Sequence, residues 1–210
     1  MQRALTPKEY PKNEMKKNMK RKIVKAVIRF FMRIMFRIKI EGKENVPTEG
    51  ACLICPNHKS YYDPPLVVAF NKRHITMIAK EELNKNPFLA WLMKTFDAFT
   101  VQRDGKDIET VRHSLKVLKE GGILGIFPEG TRNGMEKGVK VKNGAVQMAI
   151  KSGAPIIPVG IKGEFKFFRK ITMTYGEPIY YDKTKIDQHN KEELDALTQE
   201  LMNKIVSLTK

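Results

Sequence analysis

The sequence predicts an α/β fold, with a mixed, largely parallel central sheet flanked by helices and an amphipathic helical segment at the N-terminal end. Three observations carry this reading. After residue 40, short buried-type apolar runs alternate with amphipathic stretches of helical period, the order that builds a mainly parallel sheet covered by helices. The chain has 210 residues, enough to bury roughly 70% of its unfolded surface. Its composition, 41% hydrophobic and 30% charged, is that of a folded domain rather than a disordered, collagenous or disulfide-stapled chain. No apolar run is long enough to span a bilayer as a helix: the longest charge-free stretch, Ser152 to Ile161, is ten residues against the ~20 required.

The first element is a helix over residues 23–38. Its cations Lys25, Arg29, Arg33 and Arg37 recur every fourth residue and drift by only ~40° per step, drawing one basic stripe. Phe30, Phe31, Met32, Ile34, Met35 and Phe36 fill the rest of its circumference. Such a helix is expected to lie in a membrane interface with the stripe on lipid phosphates. The alternative is a helix packed on the domain's own core with one solvated face. Charge is distributed to match the first reading. Of the net +16, residues 1–40 carry +11, from thirteen cations and two acids, which leaves +5 for the remainder. A nucleic-acid surface would interleave cations with aromatics and show a recognition motif. Neither is present outside the helix, so no nucleic-acid partner is expected. Residues 1–36 are thus read as a basic extension with a membrane-anchoring helix, and 37–210 as the α/β domain.

Strands follow near 37–41, 51–56, 75–79, 98–102, 122–127 and 155–161, with a strand pair around 170–181. Helices fit near 64–70, 87–95, 107–120, 144–151 and 190–208. Cys52 and Cys55 lie in the strand at 51–56, where period two sends them to opposite faces, an arrangement suited to a reducing compartment.

In such folds ligands gather at the carboxyl ends of strands. The strand at 51–56 leads into Pro56-Asn57-His58-Lys59-Ser60-Tyr61-Tyr62-Asp63-Pro64-Pro65. Asp63 followed by Pro64 reads as an N-cap with proline in the first helical position. The five-residue offset can also return the Asp63 carboxylate to one nitrogen of His58, leaving the other free as a general base. Cys55 raises a rival thiol-nucleophile chemistry, and Cys52, Cys55 and His58 together lack a fourth ligand for zinc. No metal is expected. The strand at 122–127 leads into Pro128-Glu129-Gly130-Thr131-Arg132-Asn133-Gly134. Arg132 offers a planar fork suited to phosphate, and Arg103 and Lys142 lie at a strand end and a helix start, so the three together describe an anionic pocket.

These motifs carry a family resemblance. Asn57-His58-Lys59-Ser60-Tyr61-Tyr62-Asp63 resembles the Asn-His-x-Ser-x-x-Asp block of glycerolipid acyltransferases, and Phe127 to Arg132 resembles their Phe-Pro-Glu-Gly-Thr-Arg block. Arg103 falls at their intervening arginine block, and Ile156 to Ile161 resembles their last, proline-containing block. Within that family the pattern is most similar to the bacterial enzymes that acylate lysophosphatidic acid to phosphatidic acid, although relatives with the same blocks act on other lysolipids or polar acceptors. The resemblance implies that His58 and Asp63 are catalytic. It also implies that Arg103, Glu129, Gly130, Thr131 and Arg132 bind the glycerol phosphate; Asn57 and Ser60 of the first block and Lys142 of the anionic pocket are read as further substrate-binding residues. The expected co-substrate is an acyl thioester of acyl carrier protein or coenzyme A, with no cofactor, at the cytoplasmic face of the membrane. An apolar tunnel opening beside the N-terminal helix would take the acyl chain. The oxyanion donors stay open between the N–H groups of residues 58–60 and of 130–132. Asn133 stands where family members often carry serine.

Overall fold

Strand order sets the position of everything else. In the computed structural model, which describes residues 12–101, 108–134 and 137–210, one sheet runs β1 (Arg37–Glu41), β7 (Lys170–Tyr175), β6 (Ile156–Lys162), β2 (Cys52–Pro56), β5 (Ile123–Gly125), β3 (Ile75–Lys80), β4 (Phe99–Val101). The last five of these are parallel to one another, and β7 is antiparallel to β6 and carries β1 parallel beside it. The sheet is therefore mixed and mostly parallel, as the alternating pattern predicts. One departure lies at 170–181, where only β7 is a strand. Residues beyond Gly176 make a single antiparallel bridge, Ile179 to Ile156, because Pro178 has no N–H to extend a ladder.

Helices cover both faces. On one face lie α1 (Lys12–Met35), α2 (Asp63–Phe70) and α3 (Pro87–Thr95), and on the other α4 (Ile108–Lys119), α5 (Gly144–Ser152) and α6 (Lys191–Ser207). Every residue of β2 is buried, and the pleat deals them alternately to two cores: Cys52 and Ile54 to the α1–α2 side, Leu53 and Cys55 to the α5–α6 side. The thiols are therefore separated by the sheet, as period two requires. Burial pushes Cys52 up to about 11 and raises Cys55 as well, so neither is a ready nucleophile.

The N-terminal helix is longer than the amphipathic stretch and differently turned. Lys25 is buried, and its Nζ donates to the carbonyls of Asn71 at 3.1 Å and Arg73 at 2.8 Å, just past the carboxyl end of α2, where carbonyls lack intrahelical partners. Arg21 donates to the Thr95 carbonyl at 3.0 Å and pairs with Asp97, which also takes Lys17 at 2.7 Å. Arg33 sits over the Phe70 ring at 5.6 Å, and Met32 and Phe36 enter the core. The basic stripe therefore does not face outward as a unit: unsatisfied carbonyls draw its first member, Lys25, onto the body. This face follows the alternative reading, packing on the domain's own core. The opposite face consists of Met15, Met19, Ile23, Val27, Phe30, Phe31 and Ile34, all exposed. Among the described residues no helix is long and apolar enough to cross a membrane.

His74 lies in the same polar cluster, its Nε2 3.5 Å from Asp97 and its ring stacked on Phe96. Burial foremost, then Arg21, Lys25 and Lys17, lower its pKa to about 4, against an opposing pull from Asp97. A folded value below the unfolded ~6.5 means that the neutral ring's contribution is present above pH ~6.5 and is lost as pH falls through about 4. The melting temperature accordingly falls across that window, and His74→Gln, which takes no proton there, lessens the fall. Identical acid profiles for the two proteins would contradict this account.

Candidate active site

β2 and β5 are parallel neighbours, yet the chain leaves β2 toward the α2 face and β5 toward the α5 face. Loops that part in this way open a crevice at the carboxyl ends of the strands. His58 comes from the first loop and Glu129 from the second.

Asp63 is completely buried, and a buried carboxylate has to be paired or hydrogen-bonded. Its Oδ2 accepts from His58 Nδ1 at 3.0 Å and from the backbone N–H groups of Lys59 and Ser60, each at 2.6 Å. It is not the N-cap that the sequence suggests. Tyr62 holds that position and Asp63 is the first residue of α2. The reason is chemical: Pro64 and Pro65 follow, neither has an N–H to cap, and the carboxylate turns back to the loop that does. Because a carboxylate only accepts, Nδ1 of His58 carries its proton and Nε2 keeps a lone pair for a proton from outside. The imidazole lies against the Phe127 ring, with centroids 4.2 Å apart and planes 27° apart.

The second loop grips the first through the backbone of the same histidine. Glu129, buried, accepts the His58 N–H on Oε1 at 2.8 Å, and Asn133 donates its N–H to the His58 carbonyl at 2.7 Å. The turn that brings them there needs Gly130 at φ 63°, and Gly134 packs so closely that an added Cβ would stand 3.0 Å from Glu129. Asn133 itself has φ 53°. Asparagine is among the few side chains at ease in that left-handed region, which accounts for its presence where the family pattern has serine.

The remaining expected residues divide. The Asn57 amide is committed to β6, donating to the Ile161 carbonyl at 3.1 Å and accepting its N–H at 2.6 Å, so it holds the loop in place. Ser60 shapes the turn, its hydroxyl accepting the Tyr62 N–H at 3.2 Å. Arg132 is brought to the first loop, its guanidinium 3.5 Å above the Tyr61 ring centroid. Thr131 is on the turn between Glu129 and Arg132. Lys142 is exposed, with its N–H 3.4 Å from the Pro128 carbonyl. Arg103 lies outside the described residues. Sequence reasoning missed Tyr61 and Phe127 as parts of the site. The first occupies a variable position of its block, and the second opens the Phe-Pro-Glu-Gly-Thr-Arg block, where only the residues after it are read as contacts.

The acyltransferase family model matches residues 37–162, from the first residue of β1 to the last of β6, and so includes both loops. Over 178 residues the chain is 33% identical to the 1-acyl-sn-glycerol-3-phosphate acyltransferase of Bacillus subtilis (strain 168), covering 81% of this chain and 87% of that one. It is 29% identical to the enzyme of the same name from Borreliella burgdorferi, covering 78% of this chain and 69% of that one. Among solved structures it is similar to the 1-acyl-sn-glycerophosphate acyltransferase PlsC of Thermotoga maritima, with a TM-score of 0.71 and 26% identity, covering 95% of this chain and 84% of that one.

Asn57 gives the site a test that does not depend on chemistry. Asn57→Ala strands the N–H and carbonyl of Ile161, and a buried group left unpaired costs about 1–3 kcal/mol. Chemical denaturation registers a loss of that order, whereas a loss below about 0.5 kcal/mol would mean that the Ile161 backbone finds other partners.

Proposed function

Since the chain belongs to the acyltransferase family, we propose that it moves a fatty acyl group from the thioester of acyl carrier protein or coenzyme A to the sn-2 hydroxyl of lysophosphatidic acid, giving phosphatidic acid for phospholipid synthesis. The chain is an acyltransferase. The observation that carries the finer reading is the His58–Asp63 pair at the crevice with a ring-supported guanidinium on the neighbouring loop.

The reaction runs without a covalent enzyme intermediate. Asp63 fixes the tautomer of His58, and Nε2 removes the proton of the acceptor hydroxyl as its oxygen attacks the thioester carbonyl. The C–S bond breaks on collapse of the tetrahedral intermediate, and the imidazolium returns its proton to the departing thiolate. The intermediate's oxyanion needs preorganised donors. The N–H groups of His58, Lys59, Ser60 and Gly130 are already used within the loops, whereas those of Thr131 and Arg132 take no partner among the described residues. Thr131 and Arg132 are therefore the oxyanion donors in this scheme. The acceptor phosphate is clamped by Arg132, with Arg103 and Lys142 as further cations. Residues 1–36 address the enzyme to the cytoplasmic face of the bilayer through the exposed apolar side of α1, and residues 37–210 form the catalytic domain.

His58→Ala lowers the turnover of lysophosphatidic acid by roughly 10²- to 10⁴-fold while the protein stays folded, as circular dichroism registers. An assay that finds full activity removes the general base. The phosphate clamp has its own test, because Tyr61 positions Arg132. Tyr61→Ala raises KM for lysophosphatidic acid more than it lowers kcat, and Tyr61→Phe, which keeps the ring, restores it. A KM that is the same in all three proteins disposes of the clamp. Running the assay with both thioesters and a panel of lysolipids identifies donor and acceptor.

A further inference from the structure

We propose that the groove between α1 and α3 seats one anionic phospholipid of the bilayer, an acyl chain lying along the groove and the phosphate held at its rim by Lys16 and Lys20. This rests on the reading of α1 as bilayer-facing and goes beyond it, from a surface that touches lipid to a site that selects one.

The groove is open to solvent along its length and has a volume of about 680 Å³, within the ~300–1,000 Å³ of small-ligand sites. Its floor is apolar, with Ile23, Val24, Val27 and Ile28 of α1 facing Leu92 of α3. One wall is the pair Phe88 and Trp91, stacked at 6.1 Å between centroids. These groups are not hidden: Phe88 is 63% exposed, Ile23 57% and Trp91 42%. A convex apolar patch is covered by any lipid surface, but a concave one has to be filled, and a flexible hydrocarbon chain fits such a shape.

The rim says which lipid. Lys16 and Lys20 stand one helical turn apart, and Lys20 Nζ is held 5.0 Å over the Trp91 ring centroid. Indoles favour the headgroup level of a bilayer, so this stack places the ammonium where phosphates lie. The neighbouring acid, Asp97, is already taken by Lys17 and Arg21. Among the described residues Lys16 and Lys20 form no ion pair. Two cations that no described acid engages, at the mouth of an apolar groove, match an anionic headgroup with its chain. The groove shares no lining residue with the crevice of His58, Asp63 and Glu129, which separates this lipid from the acyl chains of the reaction.

Trp91 is the only tryptophan of the chain, so its fluorescence reports on the groove alone. The full chain is added to vesicles of phosphatidylcholine containing a minor fraction of phosphatidylglycerol. Either the phosphatidylglycerol or an equal amount of the phosphatidylcholine carries brominated, quenching chains, and surface charge is the same in both. Brominated phosphatidylglycerol is expected to quench Trp91 more strongly, on the order of five-fold for each lysine contact made. Lys16→Gln with Lys20→Gln brings the two quenchers level while the protein still sediments with vesicles. Equal quenching in the native protein, with normal sedimentation, overturns the lipid seat and leaves the bilayer-facing helix intact. Failure to sediment overturns both. Relief of quenching by added lysophosphatidic acid gives the groove to the substrate chain instead, and also overturns the proposal.

Discussion

The structure turns on one buried carboxylate. Asp63 has no contact with water, so the chain has to supply its donors, and it does so from the three residues that precede Tyr61. Drawing the N–H groups of Lys59 and Ser60 and the imidazole of His58 onto one oxygen folds the loop into a single shape. That shape leaves the His58 backbone N–H and carbonyl facing the second loop, where Glu129 and Asn133 take them. The two loops are joined through the main chain of the residue proposed as general base, which fixes the imidazole more firmly than side-chain contacts alone could. Substitution of the carboxylate would therefore release both loops, a larger effect than one lost hydrogen bond.

The same crevice is tied to the N-terminal helix. α1 runs antiparallel to α2, with Lys25 at the carboxyl end of α2 and Phe36 against Tyr62 at its amino end. Phe165 closes an aromatic cluster with both rings, and the Met35 carbonyl accepts the N–H of Phe168. A helix presenting its apolar side outward is thereby set at a fixed height relative to His58. Exposed Phe167 and Phe168 extend that apolar side at the active-site end, and Phe88 and Trp91 extend it beside Lys20. In the proposed reaction on a lipid acceptor this geometry would matter more than affinity for the surface, because the hydroxyl would have to meet Nε2 at a set depth.

Much of this was legible in the sequence. The order of strands and helices, the opposite faces of Cys52 and Cys55, and the pairing of His58 with Asp63 all follow from period, pleat and a five-residue offset. What was not legible depends on partners far away in the chain. The inward turn of Lys25 is set by carbonyls at Asn71 and Arg73, which no local helical pattern reveals. The commitment of Asn57 to Ile161 needs β6 to lie beside β2, a neighbour relation that sequence order conceals. Asp63 reads locally as a cap because Pro64 marks a helix start, and it does lie in the first turn of α2; the missing N–H groups of Pro64 and Pro65 leave the carboxylate to turn back to His58 instead.

Arg132 illustrates why net charge was a poor guide to the pocket. A lone exposed guanidinium is strongly solvated and loses side-chain freedom when it grips an anion. Over the Tyr61 ring one face of its plane is already out of water, and the fork is held ready for oxygen atoms. The cost of ordering it is met in folding rather than in binding. Among the described residues only Lys20 and Arg33 also lie over a ring, and most of the excess charge lies on or before α1. In the proposed reaction the hold on the phosphate would therefore depend less on how many positive charges the protein carries than on one that an uncharged ring keeps still.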